Sequence, residues 1–315
     1  MIEEDDSKKM RCHNCAMGEL EIEVKFTNND QQTWIEQVYH YLTFHYQVKR
    51  IENILVVSED ALRDLHDFCK DHMDVNEVFF RIGSQTWKPI LESVEIMNAH
   101  WIDDVIKNKQ VISYYQPIIS SDKQVYAYEL LARFIGKNGQ LIFPNEIFSA
   151  ARTRGRLYAL DRLCRMTAVK HAVRLQNVKA FINFIPTSIY SPEHCLKSTI
   201  MLAQQLNLKQ EMLVFEVVET DKVDDVEHLK TILNYYKSKG FSYALDDVGE
   251  GFNTESLLKE LTPPRYMKLD MKYVRGGVSK SDEKQQIASR LLEVANDLGS
   301  IPLAEGVETK MILSG

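Results

Sequence analysis

The amino-acid sequence predicts an α/β protein built mainly on parallel strands arranged as a barrel, preceded by a smaller α/β module. Two observations carry this. From residue 112 onward, short apolar strands alternate with helical stretches, the signature of parallel βα units. Several of those strands are continuous apolar runs, as expected where both faces of a strand are buried. The length agrees, because 315 residues accommodate one barrel of about 250 residues with an extension, or two domains of roughly 150 each.

Residues 1–17 are polar and read as a loose tail. From Glu19, ELEIEVKF alternates apolar and acidic residues and predicts a half-buried strand. Trp34, Val38, Tyr39 and Leu42 recur at helical spacing within 33–46. IENILVV, 51–57, predicts a strand, Ser58 an N-cap, and 60–69 the helix it opens. Residues 78–82 predict another short strand, so 18–87 form a small α/β regulatory module without a phosphate loop. Residues 88–110 predict a connecting helix, from Ile90, Val94, Met97, Trp101 and Val105. The barrel occupies 111–315, with strands SYYQPIIS, QVYAYELLAR, KAFINF, MLVFEVVE, FSYALDD, RYMKLD and IPLAEGV. Helices are expected at 157–175, 194–206, 226–239 and 282–298.

Composition excludes several classes. A hydrophobic fraction of 44% with 10% aromatics rules out global disorder. The net charge of −7 speaks against a protein that coats a nucleic-acid polymer. No apolar run approaches the ~18 residues of a membrane span, and the charged start MIEEDDSKKM lacks a secretory signal. Five scattered cysteines suit a reducing cytoplasm better than a disulfide framework. Cys12 and Cys15 form a CxxC, half of a zinc site. The nearby candidate for the other half is Cys69 with His66 or His72; the alternative is a solvated terminus with reduced thiols.

The informative pattern is what ends each barrel strand. Glu129, Asn183, Glu216 and Glu219, Asp246 and Asp247, Lys268 and Asp270, Glu305 and Glu308 sit at or just after the carboxyl ends. In a parallel barrel those ends converge on one face, where active sites form. Carboxylates packed so closely repel one another unless cations neutralise them. All-oxygen ligands suit Mg²⁺ or Mn²⁺ rather than zinc. Two such ions about 3.5–4 Å apart can hold both oxygens of an in-line displacement at phosphorus, and Lys268 supplies a fixed positive charge. A lone acid at a strand end is ordinarily a helix cap, and Asp270 fits that description. Successive strands that each end in a ligand-type side chain do not. Metal-assisted phosphodiester hydrolysis is the reaction class this pattern indicates.

YELLAR, preceded by QPI and followed in order by INF, EVVET, DDVGEG, KLD and AEGVET, resembles the EAL family of cyclic di-GMP phosphodiesterases over residues 113–309. The resemblance implies a modified TIM (β/α)8-type barrel with an antiparallel first strand, SYYQPIIS. It implies hydrolysis of cyclic di-GMP to linear pGpG in bacterial second-messenger signalling, with two Mg²⁺ or Mn²⁺ ions per site and a homodimer formed through the barrel. By resemblance Glu129, Asn183, Glu216 and Asp246 are ligands of one metal, and Asp246, Asp247 and Glu308 of the second. Glu219 resembles the glutamate that holds the loop after Asp247. Lys268 looks like the residue that holds the attacking water, and Glu305 like the general base. Gln116, Leu131 and Arg133 look placed for substrate.

The chain departs from the family at two places. Where the family usually reads FGTGYSSL, this chain has Val248, Gly249, Glu250, Gly251, Phe252 and Asn253, adding a negative charge near a phosphate site. Only six residues follow Thr309, so the barrel is expected to stop before its eighth strand, with weak metal binding and little turnover. A catalytically weak or inactive cyclic di-GMP receptor is therefore the alternative to the enzyme.

Overall fold

The computed structural model describes residues 17–27, 32–218, 225–248, 255–274 and 283–307. Contacts group the chain into two compact units. One contains the described residues up to Gln110 together with Phe134–Leu160, and the other contains Val111–Arg133 and the described residues from Asp161 onward. Among the described residues no helix is long and apolar enough to cross a membrane.

In the first unit, β1 (Ile22–Phe26), β2 (Lys49–Ile51), β3 (Ile54–Val57), β4 (Val78–Ile82) and β5 (Lys88–Pro89) form one sheet in the order β2-β3-β1-β4-β5. Every pairing in it is antiparallel. The predicted period-two pattern is realised: Ile22, Val24 and Phe26 of β1 are buried with Val78, Phe80 and Ile82 of β4. The helices Gln32–His45 and Glu59–His72 close that face through Leu42, Leu62 and Leu65. Ser58 caps the second helix, its Oγ accepting from the Ala61 N–H at 3.3 Å.

Two sequence readings are corrected here. IENILVV is not one strand, because the chain reverses at Glu52–Asn53 between β2 and β3. Glu52 takes a left-handed backbone, φ 53°. Asn53 is held against β1, donating Nδ2 to the Phe26 carbonyl at 2.7 Å and accepting the Phe26 N–H at 3.1 Å. Residues 88–110 are not a single helix either. They form β5, a 3₁₀ turn Ile90–Glu92 and two short helices, Ser93–Asn98 and Trp101–Lys107. Ile90 and Ile96 belong to the sheet core, whereas Ile102, Val105 and Ile106 are buried outside that cluster. One straight axis cannot serve both, and the chain turns at Ala99. The proposed zinc partner Cys69 is fully buried, and burial pushes its thiol up to about 12. Among the described residues no group of three ligand-type side chains gathers around it. Cys12 and Cys15 lie outside the described residues.

An element the sequence reading passed over lies within this unit. Phe134 and Ile135 pair antiparallel with β8 (Leu141–Ile142), and a helix follows at Pro144–Thr153 with Pro at its first turn. Just beyond it, Arg154 is 1% exposed and grips Glu59 with both terminal nitrogens, at 3.0 and 2.7 Å. It also reaches Asp103 at 2.8 Å. Arg156 meets the other Asp103 oxygen at 2.9 Å and the Gly18 carbonyl at 2.7 Å. Two guanidinium groups and two carboxylates thus neutralise each other out of water.

In the second unit, β6 (Val111–Ile119), β7 (Val125–Ile135), β9 (Lys179–Phe184), β10 (Leu213–Val217), β11 (Ser242–Val248), β12 (Tyr266–Leu269) and β13 (Ile301–Ala304) follow one another in the order β6-β7-β9-β10-β11-β12-β13. From β7 onward each neighbouring pair is parallel. β6 and β7 are adjacent and joined only by residues 120–124, closed by Ser120 N–H to Gln124 O at 2.9 Å. So short a connection permits only an antiparallel pair. All seven strands read from the barrel sequence are therefore present, with the reversed first strand. The helices Leu157–Ala172, Lys197–Gln205, Val226–Ser238 and Glu283–Asp297 fall where the periodicity predicts them.

The parity of the strands separates two cores. Ile182, Phe184, Phe215, Leu245 and Met267 face the helices. Ala127, Phe181, Val214, Ala244 and Tyr266 form an inner layer, with Leu303 packed against it.

Asp103→Ala leaves two buried guanidinium groups without their shared partner. The expected loss is about 3–5 kcal/mol of stability in the first unit. All three tryptophans, Trp34, Trp87 and Trp101, belong to that unit, so denaturant titration followed by tryptophan fluorescence measures it directly.

Candidate active site

Two residues beyond each member of the inner layer, the same strand face turns polar. Ala127 leads to Glu129, Phe181 to Asn183, Val214 to Glu216, Ala244 to Asp246, Tyr266 to Lys268 and Leu303 to Glu305. Side chains two apart share a face of a strand, so the apolar floor and the polar roof have one origin. β7 and β13 are five inter-strand steps apart, about 24 Å in a flat sheet. Yet one oxygen each from Glu129, Glu216 and Glu305 lie within 4.8 Å of one another. The sheet must curl strongly to allow this.

Lys268 stands at the centre. Its Nζ lies 3.3 Å from Glu129, 3.1 Å from Asp246 and 2.6 Å from Glu305, and it also donates to Glu216. Burial alone would lower the ammonium's pKa, but the four carboxylates outweigh it and hold it well above the ordinary value. Burial pushes Glu216 well up, with Lys268 opposing and Glu129 and Asp246 adding to the rise. Glu305 is raised for the same first reason. Both directions express one excess: with Asp247 the cluster holds five carboxylates and one ammonium, a formal charge of −4.

Asp246 and Asp247 are consecutive, and on a regular strand they would face opposite ways. They do not, because β11 carries an extra residue between Leu245 and Val248 relative to β12. Two residues of the bulged strand then stand against one of its partner. Asp247 takes a left-handed backbone, φ 49°, and its N–H bonds the Asp246 carboxylate at 3.1 Å. As a result Asp246, Asp247 and Glu305 form a second group of carboxylate oxygens within 4.8 Å. Burial first, then Asp246, Glu305 and Asp270, push Asp247 up to about 7. Asp270 itself caps the turn that follows, accepting the Lys272 N–H at 2.6 Å, as the sequence predicts.

Divalent cations fit this donor set. Asn183 donates Nδ2 to Glu129 at 2.9 Å, which leaves Asn183 Oδ1 as an acceptor. Asn183 Oδ1 and Glu216 Oε2 are both buried without a hydrogen-bond partner. An unpaired buried acceptor costs about 1–3 kcal/mol, and hard oxygen donors beside carboxylates suit Mg²⁺ or Mn²⁺.

Other predicted site residues divide into two sets. Leu131 and Arg133 share the inner face of β7 with Glu129 by strand parity. Gln116 shares the face of β6 that carries Ile118, which packs on the inner layer. The Arg133 guanidinium stands over the Tyr114 ring at 5.2 Å, a partner the sequence reading missed although parity places Tyr114 beside Gln116. Glu219, Glu308 and the glycines Gly249 and Gly251 lie outside the described residues. The family resemblance casts Glu305 as the base, and its carboxylate also stands in both oxygen groups.

The EAL domain family profile matches residues 99–314. A protein of Escherichia coli K12 named probable cyclic di-GMP phosphodiesterase PdeG is 29% identical over 214 residues, covering 65% of this chain and 41% of that protein. Signaling protein YkoW of Bacillus subtilis is 26% identical over 234 residues, covering 73% of this chain and 28% of that protein. The chain thus spans well under half the length of these curated relatives. A standalone versatile EAL protein from Vibrio cholerae O395, crystallised in its c-di-GMP bound form, superposes with TM-score 0.56 at 33% identity, covering 65% of this chain and 84% of that one. The FimX EAL domain from Pseudomonas aeruginosa bound to c-di-GMP shares the fold, with TM-score 0.61 at 21% identity over 70% of this chain and 88% of that one.

A cation bound by Asp247 must displace the proton that its raised pKa retains, so metal affinity rises with pH. Below about 7 the apparent affinity for Mn²⁺ is expected to climb up to about tenfold per pH unit, and to level off above it. Calorimetric titration with Mn²⁺ between pH 6 and 8 measures this; a flat profile contradicts it.

Proposed function

The chain belongs to the EAL domain family, and from that premise we propose that it is a metal-dependent phosphodiesterase hydrolysing cyclic di-GMP to the linear dinucleotide pGpG. The observation that carries the reading is the convergence of four carboxylates on Lys268, beside two buried oxygen acceptors left without partners. The names of the relatives support the substrate, and the all-oxygen donor set supports the cofactor.

Glu129, Asn183, Glu216 and Asp246 would hold one Mg²⁺ or Mn²⁺ ion. Asp246 and Asp247 would hold a second, with Glu308 contributing. Such ions, when bound, supply positive charge to phosphate oxygens and lower the pKa of a water within reach. The remaining work belongs to the chain. Lys268 keeps a fixed positive charge beside the attacking water and the phosphate as negative charge builds there. Glu305, whose pKa burial raises, is suited to take the water's proton. The water oxygen bonds to phosphorus while the bond to the ribose 3′ oxygen breaks, and that oxygen takes a proton from solvent, opening the ring to a 5′-phosphate and a 3′-hydroxyl. Arg133 and Gln116 would contact phosphate or guanine, and Glu219 would steady the loop after Asp247.

The full chain incubated with cyclic di-GMP and Mn²⁺ is expected to release pGpG, resolved by chromatography. Glu129→Ala should lower turnover at least about 100-fold, since a metal ligand supports several kcal/mol of charge stabilisation, with circular dichroism unchanged. Tight cyclic di-GMP binding without product would instead identify a receptor.

A further inference from the structure

One pair of buried charges belongs neither to the carboxylate cluster nor to the Arg154 network. Asp161 and Arg165 are each 2% exposed and stand one turn apart on the helix Leu157–Ala172. Arg165 Nη1 donates to Asp161 Oδ2 at 3.0 Å, and Arg165 Nε donates to Thr199 Oγ1 at 3.3 Å. The other Asp161 oxygen, Oδ1, leaves the helix altogether: it accepts the backbone N–H of Ile185 at 3.0 Å.

Ile185 is the first residue beyond β9, where the ladder with β10 ends at Phe184. Its own carbonyl accepts from Ser188 twice, from N–H at 3.0 Å and from Oγ at 2.7 Å. The backbone that leaves β9 is therefore pinned on both sides. Asn183 lies two residues earlier, with Nδ2 on Glu129 and Oδ1 buried without a partner. An ionised acceptor holds an N–H about twice as strongly as a neutral one, and Arg165 compensates the charge that this requires in a buried place.

We infer that Asp161 is a positioning residue for the phosphodiesterase site: by holding Ile185 N–H it fixes the carboxyl end of β9, and with it the Asn183 carboxamide that would ligate the metal. The inference rests on the metal-dependent reading above. Asp161 touches no substrate and acts through Asn183. A merely structural Asp161 would affect stability alone, whereas a positioning Asp161 sets affinity for the cation.

The test uses the full chain and Mn²⁺ alone, titrated calorimetrically, with melting followed by circular dichroism. Asn183→Ala marks the loss of the ligand itself. Asp161→Ala/Arg165→Met removes the clamp without stranding a buried guanidinium, and should weaken Mn²⁺ binding about 10–100-fold, the usual effect of losing an outer partner of a ligand. Asp161→Asn keeps an acceptor for Ile185 and should stay within about threefold of the parent chain. A folded double variant that binds Mn²⁺ as tightly as the parent, with only its melting point lowered, overturns the inference. If parent and Asn183→Ala bind Mn²⁺ alike, the metal reading itself fails, which is a different outcome. Should the double variant not fold, Asp161→Asn decides: protection of the Ile185 amide from exchange and Mn²⁺ affinity are kept together or lost together, and loss of either one alone refutes the clamp.

Discussion

Like charges held in a small volume must be compensated, and around Lys268 this requirement governs the second unit. Glu129, Glu216, Asp246 and Glu305 come from four different strands, and their repulsion opposes the curl of the sheet that brings them together. The ammonium offsets part of that repulsion at distances where a charge is poorly screened. The rest of the excess shows in Glu216, Glu305 and Asp247, which burial and mutual repulsion all push upward. Stability alone would favour an apolar roof above Tyr266 and Phe181. The polar roof is a cost the fold carries for chemistry.

The opposing favourable term is the double core. Each strand from β9 to β12 buries one face against helices and the other in the inner layer, so its backbone is shielded on both sides. Such strands are stiff, and rigid elements hold functional groups more accurately than loops do. The two devices that adjust the geometry are local departures from regularity. The bulge in β11 turns Asp247 onto the face already taken by Asp246. The clamp on Ile185 ends β9 at a defined place. Neither changes the fold, and both decide where an oxygen atom lies.

The first unit solves charge burial differently. Glu59, Asp103, Arg154 and Arg156 balance each other one for one, and the planar guanidinium forks meet the carboxylates with several hydrogen bonds. That closed network carries no excess charge and leaves no demand for a cation. The contrast separates a structural ion cluster from a reactive one: both are buried, but only the cluster around Lys268 is out of balance.

The sequence by itself determined the architecture of the second unit and most of its site. Six parallel strands, their order and the face each presents follow from apolar runs ending in Glu129, Asn183, Glu216, Asp246, Lys268 and Glu305, because strand parity and parallel βα connection are local rules that a one-dimensional pattern can express; the reversed β6 is legible through the family resemblance. It also marked Ser58 as a cap and Asp270 as a turn former, both of which act on backbone only two or three residues away. Tertiary structure alone decided the rest. The break of 88–110 into two helices depends on which cluster each isoleucine joins. The hairpin at Glu52–Asn53 depends on Phe26, 27 residues away from Asn53. The shared face of Asp246 and Asp247 depends on a register shift against β12, and the partner of Asp161 is a backbone amide with no side-chain signature at all. Each of these is set by contacts between distant segments, and their energies are written in no single stretch of sequence.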